Sequence, residues 1–251
     1  MYNSITPLSI DEIKAQIISN NAKISELLTE NETLCRQMGL EPPATNYAPS
    51  VKKRIHFPSK YIRTKEFYVR KYKLQYFFSN NEVVSNVAYS LQMSDLYNYI
   101  LNRFYVFGSL ETMIYKAAII NYVCIIESLI GQVYDDMHAY CGSCPDHDHC
   151  EFFMPKVKAF AQKLDAIESK GILNLSSEQF QQIRQAYHLR NHMHIYSAAK
   201  ENEYKTKSFD RKLHNSIIVV MKGITETLFW DMLPATKECY INLMMPSQQF
   251  P

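Results

Sequence analysis

Glycine is the residue this chain most lacks. Six are present in 251 residues, where ordinary usage near ~7% would supply about seventeen, and they stand far apart at Gly39, Gly108, Gly131, Gly142, Gly171 and Gly223. A phosphate-cradling loop, a dinucleotide fingerprint and a nucleophile elbow each need two or three glycines within a few positions, so that backbone can approach a ligand. P-loop NTPases, kinases, Rossmann dehydrogenases and α/β-hydrolases are thereby excluded. The same scarcity, together with long proline-free stretches, argues against a sheet protein with many tight turns, which draw on residues tolerant of positive φ. The expected fold class is all-α.

Long apolar runs are also missing: none approaches the ~20 residues that cross a bilayer, and Met-Tyr-Asn-Ser lacks the basic and apolar regions of a signal peptide. The expectation is a cytoplasmic protein with no membrane partner, whose cysteines stay reduced. Hydrophobic residues make up 47% of the chain against 21% charged, enough to build a real core. Net charge is only +2, but it is unevenly spread. Val51 to Lys73 holds nine Lys or Arg against Glu66 alone, or +8, which leaves the rest of the chain at −6.

From Ile10 a seven-residue repeat is present, with Ile10, Ile17, Ile24, Asn31 and Met38 in one core position and Ile13, Asn20, Leu27 and Leu34 in the other. Ile at the first position with Leu at the second favours two parallel strands, and a buried Asn such as Asn31 fixes register and dimer state. Residues 1–40 are therefore expected to be a coiled-coil dimerisation helix, the basis of a homodimer. Pro42, Pro43, Pro49 and Pro58 interrupt any helix that follows, so 41–75 reads as a linker carrying the basic segment. There Lys52, Lys53, Arg54, Arg63, Lys65, Arg70, Lys71 and Lys73 alternate with Tyr61, Phe67, Tyr68 and Tyr72. That mixture binds phosphates while stacking bases, and RNA is the expected partner.

Residues 76–235 read as an antiparallel helical bundle, with 236–251 a C-terminal tail. The longest apolar stretch, Leu110 to Met137, covers most of a helix circumference and is the expected central core helix. A second helix runs from about Pro155 through Val157, Phe160, Leu164 and Ile167 to Gly171. Ser176-Ser177-Glu178-Gln179 offers a capping box for a third, carrying Phe180, Ile183 and Tyr187. A fourth, from roughly Ser208 to Met232, would bury Leu213, Ile217, Val220, Ile224, Leu228 and Trp230. Short connections favour antiparallel neighbours.

Two clusters carry candidate chemistry. His138-Ala-Tyr-Cys141-Gly-Ser-Cys144-Pro-Asp-His147-Asp-His149-Cys150 packs three thiols and three imidazoles into thirteen residues. Zinc takes four such ligands tetrahedrally, so Cys141, Cys144 and Cys150 with a histidine, His147 or His149 among them, would hold a structural Zn2+ in an insertion at 138–150. Cys35, Cys124 and Cys239 read as lone thiols. The other cluster is Arg190-Asn191-His192-Met193-His194 on the third bundle helix, where residues four apart share a face. A guanidinium beside an imidazole suits RNA cleavage: the His moves a proton at a ribose 2′-hydroxyl, and the Arg stabilises the phosphate as charge builds.

The order of these parts resembles HEPN domains. An apolar helix with an internal acid (Ala117 through Glu127-Ser128) is followed by Lys163-Leu-Asp-Ala-Ile, then Leu189-Arg-Asn-His-Met-His-Ile195, then a final apolar helix. The resemblance covers roughly residues 76 to 233. It implies an α-helical, commonly dimeric domain, and in many members a metal-independent endoribonuclease of defence, abortive-infection or toxin systems, antiviral defence included. The family signature of Arg, a polar residue and His falls here on Arg190, Asn191 and His194, with three residues between Arg190 and His194. It also implies an alternative without catalysis, an RNA-binding or regulatory adaptor in such a system, and a defence-complex or antitoxin partner.

Overall fold

The computed structural model describes residues 8–39, 62–144, 150, 153–191 and 208–229. The chain divides into two compact units, Met1–Phe57 and Pro58–Pro251. Among the described residues all regular structure is helical: α1 (Ile10–Gln37) in the first unit, and α2 (Lys65–Lys71), α3 (Leu74–Phe77), α4 (Asn81–Arg103), α5 (Gly108–Ser143), α6 (Phe160–Ser169), α7 (Ser177–Asn191) and α8 (Arg211–Phe229) in the second.

In the first unit, α1 starts at a full capping box. Glu12 N–H donates to Ser9 Oγ at 3.3 Å, and Ser9 N–H donates to the Glu12 carboxylate at 2.8 Å. The bonds from the Ser9 backbone and side chain hold the Glu12 carboxyl below its ordinary value. The helix stops at Gly39, whose φ of +74° lies where an L side chain is strained. None of its residues is buried.

In the second unit, α5 is the hub, packing against α4, α6, α7 and α8. Thirteen of its residues are buried, from Tyr115 through Ile119, Ile126, Ile130 and Tyr134 to Cys141. It is 36 residues long and apolar enough over an 18-residue window to cross a bilayer. No such span is expected from the sequence; half of that window is buried, and four helices of the same unit pack on α5.

The basic segment differs from the linker expected of it. Its second half is helical and belongs to the bundle unit, because it carries core residues: Tyr68 and Leu74 are buried, as are Phe77 and Phe78 just beyond it, and α2 packs on α4. Thr64 caps α2 by accepting from Phe67 N–H, and Lys73, at φ +47°, breaks the chain into α3. The start of α6 also moves, from Pro155 to Phe160. The Tyr134 hydroxyl donates to the Pro155 carbonyl and the His138 ring bonds Met154, so 153–158 are held on α5 without helical structure.

Other ends fall where local chemistry places them. Gly171 N–H reaches Glu168 O at 3.0 Å and Ile172 N–H reaches Ile167 O at 3.1 Å, a Schellman closure of α6 with both isoleucines buried. Ser176 and Gln179 form the capping box of α7. Asp210 accepts from Leu213 N–H at the start of α8, whose Leu213, Ile217, Val220, Ile224 and Leu228 are buried as expected. Trp230 lies outside the described residues. Gly223 lets α8 come close to the 171–176 loop, since a Cβ there would meet Leu175 Cδ2 at 2.8 Å.

Candidate functional site

Arg190 sits in the last turn of α7, where the carbonyl end of the helix favours a cation. Packing α7 on α5 brings it to Glu127 of the hub helix. Arg190 Nη2 and Glu127 Oε2 are 3.0 Å apart, and each side chain is about one-third exposed (32% and 31%). Arg190 Nη1 donates to Asn191 Oδ1 at 3.1 Å, and the guanidinium carbon stands 5.7 Å from the Tyr187 ring centre. Tyr187 packs in turn on Phe160 of α6, 4.6 Å between ring centres. One N–H of the five-donor fork thus serves a carboxylate and another an amide, which fixes the plane of the group and leaves other donors at the surface. An ion pair this exposed contributes about 1 kcal/mol or less. The described part of α7 ends at Asn191, so His194 and its expected face shared with Arg190 lie outside the described residues.

Of the basic set, Lys52, Lys53, Arg54 and the aromatic Tyr61 lie outside the described residues. Arg63 is engaged internally. Its Nε donates to Asp95 Oδ2 at 2.8 Å, its Nη2 reaches Oδ1 at 2.5 Å, and its backbone N–H donates to Oδ2 at 3.0 Å. Burial alone would raise the Asp95 carboxyl. The bonds from Arg63 and from Tyr68 outweigh it and hold the group below its ordinary value. Burial, then Asp95, pushes the Tyr68 hydroxyl well up, so it stays a neutral donor. Tyr68 is buried and Tyr72 half-buried, 6.1 Å apart and nearly parallel, which removes both as base-stacking platforms. Lys65 Nζ lies 3.5 Å from Ser85 Oγ, Arg70 Nε donates to Glu66 O, and Lys71 lies over Phe67 and Tyr72. Arg70, Lys71 and Lys73 are solvent-exposed.

The cysteine cluster is only partly in view, since His147 and His149 lie outside the described residues. Cys141 is buried in the core at the last turn of α5, and Cys144 caps that helix with its N–H on Cys141 O. Cys150 is half-buried. His138 Nδ1 is 2.7 Å from the Met154 carbonyl, an acceptor only, so Nδ1 carries a proton and donates it there. Among the described residues no three His, Cys, Asp or Glu side chains converge as a metal site.

Two features escaped the sequence reading. Asp95 stands alone among neutral residues of α4, with no motif around it to mark it. His214 lies on the apolar stripe of α8, a position that should have drawn notice. It is buried 5.4 and 6.0 Å from the Tyr115 and Tyr122 ring centres, and its Nε2 has no hydrogen-bond partner among the described residues. Burial lowers its pKa against the opposing bond from Asn215. It lines an open cleft of about 740 Å³ with Asn98, Tyr105, Glu111, Tyr115 and Arg211. No family model, curated protein or solved structure matches the chain.

Proposed function

We propose that this protein is a metal-independent endoribonuclease of the HEPN type, cleaving single-stranded RNA in a defence or toxin setting. The supporting observation is Arg190, held between Glu127 and Asn191 at the end of α7, directly before the segment that carries His194. In this reading His194 takes the proton from a ribose 2′-hydroxyl, which attacks the adjacent phosphorus and expels the 5′-oxygen, and that oxygen leaves with a proton taken up from water. Arg190 stabilises the charge gathering on the phosphoryl oxygens, with its plane fixed by Asn191. The exposed Arg70, Lys71 and Lys73, together with Lys52, Lys53 and Arg54, hold the strand by its phosphates. A homodimer through α1 would bring two such sites into one assembly.

The test is cleavage of single-stranded RNA in EDTA. The expected product ends in a 2′,3′-cyclic phosphate, DNA of the same sequence is inert for want of the 2′-hydroxyl, and Arg190→Ala or His194→Ala lowers the rate by at least ~10²-fold. Circular dichroism confirms that each variant is folded. A second reading, a noncatalytic RNA-binding or regulatory adaptor, is favoured by the two ion pairs that offset the charges of Arg190 and Arg63. Folded wild type that cuts no RNA establishes it.

A structural Zn2+ belongs to the same proposal. Cys141 and Cys144 stand one helical turn apart, and the His138 tautomer is the one that second-shell carbonyls impose on metal-binding imidazoles. The ion would join Cys141, Cys144, Cys150 and one histidine, and so tie down the segment after α5. Metal analysis of protein purified without chelator is expected to find about one zinc per chain, and protein free of zinc removes the claim.

A further inference from the structure

The core positions of the α1 repeat are open to solvent: Ile10 72%, Ile13 44%, Ile17 44%, Ile24 52%, Leu27 59%, Leu34 48% and Met38 63% exposed. Most helical stability in proteins comes from packing an apolar face, and this one is uncovered, so the face needs a partner. We propose that α1 pairs with α1 of a second copy and that the two run antiparallel, with the two-fold axis midway between Ile24 and Leu27. This rests on the homodimer reading above and adds the direction and register.

The two asparagines select the register. In an antiparallel pair, each residue of the Ile10 series faces one of the Ile13 series. In one alignment Ile13 meets the partner's Met38, Ile17 the partner's Leu34, Asn20 the partner's Asn31, and Ile24 the partner's Leu27. Sliding by one heptad either way sets each Asn against an apolar residue and leaves a buried amide unpaired. Asn20 is prepared for the pairing. Its Oδ1 accepts from Gln16 Nε2 at 2.8 Å, which leaves its amide hydrogens to donate across the interface.

Charge selects the direction. Lys23 and Glu30 flank the apolar seam at equivalent heptad positions, both are exposed, and neither has an ion-pair partner among the described residues. In the antiparallel register both fall between the same two layers, so Lys23 faces the partner's Glu30 and Glu30 faces the partner's Lys23. In a parallel pair, Lys23 would face the partner's Leu28 and Glu30 the partner's Cys35, with no ion pair formed. The preference of Ile and Leu for parallel strands applies where like positions meet; here every apolar layer joins one Ile to one Leu or Met. The two chains leave the helix pair at opposite ends, roughly 35 Å apart, since in this register Gln37 faces the partner's Lys14, 23 positions away at 1.5 Å each.

Sedimentation equilibrium of the full-length chain tests the direction. Glu30→Lys or Lys23→Glu alone is expected to weaken dimerisation by about tenfold, since two attractions become two repulsions. The double variant is expected to return to within about threefold of the original affinity. Asn20→Cys and Asn31→Cys chains provide the second measurement: oxidised together, they should cross-link one substituted position to the other, as read by peptide mass mapping, and oxidised separately they should not. Cross-links that join only like positions, or a double variant that shows no recovery, overturn the antiparallel register while leaving the dimer. A chain that stays monomeric overturns both.

Discussion

α1 and α5 are both long for globular helices, 28 and 36 residues, yet no residue of α1 is buried while thirteen of α5 are. The difference lies in how apolar residues are spaced. In α5 they surround the axis, and four helices of the same chain cover them. In α1 they form one narrow stripe at a seven-residue period, with Lys14, Lys23, Glu26 and Glu30 elsewhere on the surface. A stripe that narrow matches a single partner helix. Ends are treated alike in the two units: Ser9 with Glu12 and Ser176 with Gln179 make the same capping box. Local hydrogen bonding starts a helix whether or not anything covers it.

The comparison breaks most sharply under paired truncations. Ile126→Ala removes a side chain that is 1% exposed and opens a cavity in the hub, so urea denaturation should show a loss of about 2–5 kcal/mol. Ile24→Ala, made where the side chain is 52% exposed, should leave that transition in place and act on self-association. Equal losses from both would mean that α1 is part of the bundle's cooperative unit.

A smaller effect sharpens the account of the core. The folded state lowers the His214 pKa, so below the ordinary value of 6.5 the unfolded chain takes up a proton that the folded chain refuses. The stability His214 leaves intact at neutral pH is therefore lost as pH falls from 6.5 toward the lowered folded value. His214→Phe keeps a ring beside Tyr115 and Tyr122 and removes the buried nitrogen that titrates. Its denaturation midpoint should exceed that of the wild type by more at pH 5 than at pH 8. A constant difference across that range would assign the acid loss to other groups.

Much of the fold was legible because it is local. The buried residues of α8, the α7 capping box and the glycine stop of α6 each depend on residues within about two turns, and the all-α class follows from what the chain lacks. The basic segment misled because its period is too short to separate aromatics that stack on a ligand from aromatics that fill a core. Packing on α4 decided that Tyr68 is core and that Arg63 serves Asp95.

The candidate site divides the same way. Sequence by itself determined the all-α class, the helices α1, α5, α7 and α8 with their apolar positions, and that Arg190 and Asn191 adjoin at the end of α7. Tertiary structure alone decided the partners. Glu127 and Arg190 are 63 positions apart and Arg63 and Asp95 are 32 apart, and each pair meets only because two helices pack at a particular height and rotation. Ion pairs are short-range and directional, so a shift of one helical turn, ~5.4 Å, would separate either one. No pattern along the chain encodes that offset, because it is set by how buried side chains of different helices interlock.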